Sequence, residues 1–371
     1  MKPHLSLLLL AIAFPLSGLA QVEPDRRFTN WDRNKDGKLT KDELPQPLQK
    51  NFERVDTNKD GAISLEEHLA VTKRNDPARP ERGNVGNDQF TKLSDLDYAG
   101  NDNPKQKLDL YLPKELGDDP LPVVCWIHGG GWKAGDKSNG TKVARLATTG
   151  SYAGVSIGYR LSTEAPWPAQ IHDCKAAIRW IRANAEKYNL DPDRIAVWGS
   201  SAGGHLVAML GVSHGVADLE GTIGPHTGQS SDVACVVDYY GPTELLTMND
   251  HPSKIDHNAP NSPESILIGG AIQANKDRAN NASPITHVTA DDAPTLIVHG
   301  TKDDLVPYPQ SVDFEKKLEA SGVSATFVTV QDGGHGRGFG PAIQKLVETF
   351  LAQQLLGTGT IVQDQTVPAG Q

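Results

Sequence analysis

Cysteine is scarce, with three in 371 residues, and that excludes a disulfide framework as the source of stability. Cations are in deficit: 36 Lys and Arg stand against 46 Asp and Glu, for a net charge of -10. Such a balance leaves no basic patch to track phosphates, so nucleic acid is not an expected partner. Long apolar runs are missing after the first twenty residues, so no later segment reads as a membrane span. Hydrophobic residues make up 37% and charged residues 22% of the chain, which excludes wholesale disorder and supports a sizeable core. At roughly 150 residues per domain, the length allows one large domain and a small one.

The first twenty residues do contain an apolar run. Lys2 supplies a positive start, Leu5 to Phe14 are mostly apolar, Pro15 breaks the run, and Gly18-Leu19-Ala20 reads as a small-x-small cleavage site before Gln21. The run is about half of the ~20 residues a spanning helix needs. Residues 1–20 are therefore expected to be a signal peptide, which puts the mature protein in the periplasm or outside the cell; a retained anchor is the alternative. In an oxidising compartment an odd cysteine number calls for comment. Cys125 sits in the run Val123–Ile127 and reads as a buried thiol, while Cys174 and Cys235 are free to pair only if their α-carbons come within ~7 Å.

Composition divides the rest. Residues 25–73 are dense in Asp, Asn, Lys and Glu; residues 74–91 are rich in Pro, Gly and Arg and read as a linker. Residues 92–356 alternate strand-like and helix-like segments, the signature of an α/β layer architecture. Expected strands include Val123–Ile127, Gly154–Ile157, Ile195–Trp198, Val233–Tyr239 and Thr295–Val298, with helices over Ala169–Tyr188 and Ser311–Ser321. Residues 357–371 show little periodicity and are expected to be a flexible tail.

The acidic block is an internal repeat. Asp32-Arg33-Asn34-Lys35-Asp36-Gly37 is echoed by Asp56-Thr57-Asn58-Lys59-Asp60-Gly61. Calcium takes six to eight oxygens, and a loop of about twelve residues supplies them when oxygens sit at alternate positions and the chain turns sharply at the sixth. The first loop offers Asp32, Asn34, Asp36, the carbonyl of Lys38, Thr40 and the two oxygens of Glu43. The second offers Asp56, Asn58, Asp60, the carbonyl of Ala62, Ser64 and Glu67. Gly37 and Gly61 take the turn, and Leu39 and Ile63 are expected to face each other across the pair. These residues resemble an EF-hand pair, all-α and holding two calcium ions. Only residues 44–55 separate the loops, with Pro45 and Pro47 among them, so a compact structural pair is favoured over a sensor that opens a groove.

The large block carries a hydrolytic constellation. Gly199-Ser200-Ser201-Ala202-Gly203 lies between an expected strand and the helical run Gly204–Leu210. The string alone is weak; a serine on a tight strand-to-helix turn exposes its Oγ, which gives the context weight. A serine hydroxyl needs a base to take its proton and a carboxylate to orient that base. Asp303 follows the strand Thr295–Val298 and is preferred to its neighbour Asp304. Glycine-flanked His335 has the loop freedom to reach it. His299, against the strand end, reads as structural. His128-Gly129-Gly130-Gly131-Trp132 follows another strand, and the N–H groups of Gly130 and Gly131, with that of Ala202, are candidate oxyanion donors. Ser200 reads as a small packing residue, His205 as a helix residue behind the elbow, and the pair His172-Asp173 as packing or capping. Trp132 and Trp167 are either pocket walls or core. His214, His226, His251 and His257 lack metal-ligand spacing.

With those residues in place, the chain resembles the α/β-hydrolase superfamily near the hormone-sensitive-lipase-like carboxylesterases. Leu108–Pro113, Tyr159-Arg160-Leu161, Asp191–Ile195 and Tyr240–Thr243 are more closely similar to the bacterial feruloyl and acetylxylan esterase group. The resemblance implies a mostly parallel central sheet and ester hydrolysis of acetyl or feruloyl groups on plant polysaccharide, small-molecule esters being the simpler substrates. It also implies a cap or insert over residues 243–290 near the acyl site, and no organic cofactor. Two rival readings share the same residues. A serine peptidase of the prolyl-oligopeptidase kind has the same elbow but carries a large propeller ahead of it. A calcium-dependent binding protein would keep the hydrolase domain inert.

Overall fold

The computed structural model describes residues 28, 31–44, 49, 52–68 and 89–370. The expected signal peptide and most of the expected linker lie outside these residues, as do Pro45 and Pro47. The chain divides into two compact units, 1–84 and 85–371, each described by itself below. Among the described residues no helix is long and apolar enough to cross a membrane.

In the first unit, strands β1 (Lys38–Leu39) and β2 (Ile63–Ser64) pair antiparallel, with Leu39 opposite Ile63. Both side chains are buried, and with Phe28, Leu44 and Phe52 they form one apolar cluster. Among the described residues of this unit that cluster is the apolar core, flanked by the polar loops.

The second unit is built on one sheet of nine strands, in the spatial order β11-β10-β9-β8-β7-β5-β6-β4-β3. In chain order these are β3 (Phe90–Asp97), β4 (Lys107–Pro113), β5 (Leu121–Ile127), β6 (Ala153–Ile157), β7 (Leu190–Ser200), β8 (Cys235–Tyr239), β9 (Thr295–Gly300), β10 (Ala325–Gln331) and β11 (Gln365–Pro368). The ladders β3/β4 and β4/β6 are antiparallel and all others parallel. Parallel strands carry helices on both faces, so they are buried on both sides and read as unbroken apolar runs. β5 is the clearest case, with all seven residues buried. Val123, Cys125 and Ile127 pack into the core on one face, and Val124 and Trp126 into the core on the other. Helices Ala169–Ala183 and Ala202–Val212 cover the first face; Thr141–Ala147 and Pro341–Leu356 cover the second.

Three expectations change. The linker's last residues enter β3, which begins at Phe90. The tail is not frayed: β11 pairs in parallel with β10, Val328 opposite Gln365 and Val330 opposite Val367. Only one residue of β11 is buried, so an edge strand of this kind shows no alternation for sequence reading to detect. The third concerns cysteine. All three thiols are free and buried, with Cys174 in the core on one face of the sheet and Cys235 in the core on the other. The sheet itself keeps them apart, and burial pushes all three thiols well above the ordinary thiol range.

Because Val362 and Val367 seal the β10 edge, removing residues 358–371 should cost about 2–4 kcal/mol of stability, from two valines' worth of burial. Urea unfolding measures this; an unchanged midpoint would show that the strand contributes nothing.

Candidate active site

Five neighbouring parallel strands deliver the candidate residues, each at or just beyond its carboxyl end. His128 follows β5, Ser201 follows β7, Tyr240 follows β8, Asp303 lies three residues past β9, and His335 four past β10. The carboxyl edge of an open parallel sheet is where loops are free to diverge and enclose a ligand. A cavity of about 530 Å3 opens there, lined by Gly129, Gly130, Gly131, Ser201, Ala202 and His335 among others.

Ser201 sits on a strained turn. Its φ is 56° and ψ -123°, a conformation that costs a non-glycine residue roughly 1–3 kcal/mol and persists only where the surroundings enforce it. Here they do. The Ser201 N–H donates to the Tyr239 carbonyl at 2.9 Å, and the Ser201 carbonyl accepts from the His205 N–H at 2.9 Å. A Cβ at position 203 would fall onto the Ile127 carbonyl oxygen, and one at 199 onto that of Gly203. Only glycine at both places lets helix and strand approach this closely.

Asp303 is wholly engaged. Its Oδ1 accepts the N–H groups of Leu305 and Val306 at 2.9 and 3.0 Å. Its Oδ2 accepts His335 Nδ1 at 2.8 Å and lies 3.3 Å from His299 Nε2. Burial alone would raise this acid; the two histidines outweigh it and hold the carboxyl well below the usual carboxylate range. His299 is fixed in turn by Ser311 Oγ at 2.7 Å and the Val306 carbonyl at 3.1 Å. Asp304 points away, to Lys254 and Arg337. Asp303 Oδ2 occupies Nδ1 of His335, so the ring's other nitrogen, Nε2, is the one left to act. Ser201 and His335 line the same cavity, and the structure shows no hydrogen bond between them. The Oγ to imidazole link in unliganded hydrolytic sites is often long and tightens only around a substrate.

The glycine loop lies against the serine: a Cβ at Gly129 would sit 3.2 Å from Ser201 Cβ. Gly130 has φ +119° and Gly131 φ +57°, which turns backbone amides out of any strand ladder. The N–H groups of Gly130, Gly131 and Ala202 donate to no other group among the described residues. His128 stacks on Tyr159 with ring centroids 4.3 Å apart. Burial lowers its pKa to about 4, so the ring stays neutral.

The remaining sequence candidates take structural places. His205 joins Trp132 Nε1 at 3.2 Å and the Ala282 carbonyl at 2.7 Å. Asp173 holds Arg160 and Gln106, and His172 meets the Asp218 carbonyl at 2.9 Å. Trp132 is buried and lines the cavity, whereas Trp167 hydrogen-bonds Asn281 in the core. Sequence reading missed two features. His257 and Glu264 form a buried pair 3.1 Å apart in the cavity wall, where His257 had shown no partner by spacing. Asp238, fully buried behind the elbow helix, accepts the Gly241 N–H through Oδ1 while Oδ2 has no partner. Burial pushes Asp238 up to about 7.

In the first unit the loops have the donor chemistry calcium needs. The Gly37 N–H donates to Asp32 Oδ2 at 2.9 Å and that of Lys38 to Asp36 Oδ1 at 2.9 Å. Gly61 and Ala62 repeat the pattern on Asp56 and Asp60 at 3.0 Å each. Glu43 and Glu67 fold back to accept the N–H groups of Thr40 and Ser64 at 2.9 and 3.0 Å. Gly37 and Gly61 have φ of +80° and +85°. Hard carboxylate, amide, hydroxyl and carbonyl oxygens at alternate positions fit a calcium ion. The residues that would hold it are Asp32, Asn34, Asp36, Lys38, Thr40 and Glu43 in one loop, and Asp56, Asn58, Asp60, Ala62, Ser64 and Glu67 in the other.

The family BD-FAE matches residues 108–318, over half of the chain. The chain belongs to the BD-FAE family. That match ends ahead of β10 and His335. EF-hand descriptions match residues 27–46 and 48–67. Esterase LipC of Mycobacterium tuberculosis is 32% identical over 63% of this chain and 58% of its own length. Its relative LipM, a probable carboxylic ester hydrolase, is 29% identical over 80% and 60%. The chain thus spans about three-fifths of these curated relatives. Among solved structures, a truncated carbohydrate esterase from gut microbiota is 36% identical with a TM-score of 0.68, over 73% of this chain and 99% of that one. A bifunctional GH43-CE protein of Bacteroides eggerthii is 36% identical with a TM-score of 0.66, over 71% and 35%.

The Asp238 carboxyl gives a pH signature. Below the unfolded pKa of ~3.9 both states are protonated. Between there and about 7 the folded state keeps a proton that the unfolded chain releases, so stability falls as pH rises and levels off above that window. The loss across pH 4–7 should be roughly 2–4 kcal/mol, and the slope should flatten in Asp238→Asn. Urea unfolding at several pH values reads both; equal slopes in the two proteins would show that Asp238 is ionised when folded.

Proposed function

We propose that this protein is a serine carboxylic-ester hydrolase working through an acyl-enzyme, acting on acetyl or feruloyl esters of plant polysaccharide outside the cytoplasm, with a calcium-binding pair at its amino end. The observation that carries the reading is the 2.8 Å bond between His335 and Asp303 at the rim of the cavity that Ser201 enters from its strained turn. The polysaccharide side rests on the carbohydrate-esterase neighbours and on the polar His257–Glu264 pair in the wall. Export rests on the first twenty residues of the sequence.

The chemistry follows from the atoms. An ester carbonyl placed against Ser201 Oγ is attacked as His335 Nε2 takes the hydroxyl proton, and Asp303 stabilises the imidazolium that forms. The carbonyl oxygen, now negative, meets the N–H groups of Gly130, Gly131 and Ala202; each such donor is worth about 10²–10³ in turnover. Collapse expels the alcohol, which leaves with the proton from His335. Water then enters, His335 takes its proton, and the acid is released as Ser201 regains its own. Each proton passes through one ring, whose tautomer is set by the carboxylate behind it.

Ser201→Ala should lower kcat on p-nitrophenyl acetate by at least about 10³-fold with the fold intact. A peptide amide of similar size should be cleaved far more slowly by the native protein. Turnover that survives Ser201→Ala in a folded protein would end the serine mechanism, and preference for the amide would favour the peptidase.

Calcium, when bound, would neutralise the clustered carboxylates and tie each loop to its closing glutamate. Stripping it with a chelator is expected to lower the melting transition more than it lowers ester turnover. A matching loss of turnover with no melting shift would mean that the ion serves the reaction rather than the fold. Titration calorimetry should count two ions in the native protein and one in Glu67→Gln.

A further inference from the structure

A second cavity, of about 270 Å3, adjoins the first and shares Asn139, Ser200 and Tyr240 with it. Its other lining includes Trp126, Lys142 and Tyr239, and no carboxylate is among the residues around it. Lys142, near the start of the helix Thr141–Ala147, lays its ammonium against aromatic faces. The nitrogen is 4.6 Å from the ring centroid of Trp198, 4.9 Å from that of Tyr239 and 5.6 Å from that of Trp126. Among the described residues it has neither a hydrogen-bond acceptor nor a counter-ion. The indole N–H of Trp126 in the same wall is buried without an acceptor, as is that of Trp198 behind it. The two rings meet edge to face, 5.6 Å apart.

Aromatic faces attract a cation but do not accept its hydrogen bonds as oxygen does. Buried donors without acceptors are rare because each loses its water and gains nothing in return. Here a half-buried ammonium without a counter-ion and a buried indole N–H without an acceptor share one pocket wall. The guest they call for is acceptor-rich and negatively charged. One cation balances one charge, so a monoanion matches where a doubly charged phosphate would leave a charge unmet. We propose that this cavity is a carboxylate-binding subsite, with Lys142 as the charge partner. The carboxylate has two possible sources: a small free acid, or a uronic acid borne by a larger substrate. Neither depends on the ester-hydrolase reading, and the test reads binding rather than turnover.

Full-length protein is titrated with sodium acetate and with sodium glucuronate at constant ionic strength, with acetamide and glucose as uncharged controls. Binding is followed by tryptophan fluorescence, since Trp126 and Trp198 flank the ammonium, and by calorimetry. A saturable response to either carboxylate, absent for the controls and at least ten-fold weaker in Lys142→Met, upholds the site. Saturation by acetate assigns the free acid, and saturation by glucuronate without acetate assigns the substrate-borne group. No saturation by either, an equal response to the controls, or undiminished binding in Lys142→Met overturns it. Should Lys142→Met fail to fold, Lys142→Gln is read the same way.

Discussion

The close approach of the helix Ala202–Val212 to the ends of β5 and β7 is the constraint on which the site depends. It leaves no room for a side chain at 199 or 203 and forces Ser201 into a conformation that its own backbone disfavours. The strain is held by the hydrogen bond from the Ser201 N–H to β8 and by the apolar cores on both faces of the sheet. A helix that started one residue later, or packed an ångström further out, would relax the turn and withdraw the hydroxyl from the cavity. Packing across the whole sheet is therefore what keeps one oxygen atom exposed.

Charge is arranged around that oxygen in layers. Asp303 collects four donors, two from backbone and two from histidines, and so remains an anion despite burial. Asp238, a few residues from the elbow in space, has a single donor and keeps its proton to about pH 7. These two aspartates differ in the number of hydrogen bonds that replace water. Burial lowers His128 and His205 to about 4, so both rings stay neutral near neutral pH. His335, by contrast, is partly exposed and tied to the Asp303 carboxylate.

The two units use opposite means to the same end. The large one spends its apolar residues on three buried clusters over the two faces of its sheet, and its polar loops are free to build a site at one edge. The small one has a handful of buried side chains around Leu39 and Ile63 and relies on carboxylates folded back onto backbone N–H groups. Oxygen-rich loops of that kind repel one another without a cation, so a bound ion would add to the order of the unit as well as fill its loops.

Local patterns were legible because each is written in consecutive residues. The oxygen-rich loops of the first unit, the elbow glycines, the His128–Gly131 turn and the buried strands β5 and β7 all follow from spacing and backbone sterics, and the chain order of Ser201, Asp303 and His335 suggested their grouping. Edge strand β11 was invisible, since a strand with one buried residue carries no periodic signal. Cys174 and Cys235 could be separated only once the sheet stood between them. The meeting of His257 with Glu264, the lone acceptor left on Asp238 and the unpaired ammonium of Lys142 were likewise out of reach. Each depends on which donors and acceptors arrive from distant segments, and hydrogen-bond satisfaction is a property of the packed whole. Consecutive residues thus showed which side chains were chemically able to act; which of them meet was set by packing, because only packing fixes where water is excluded.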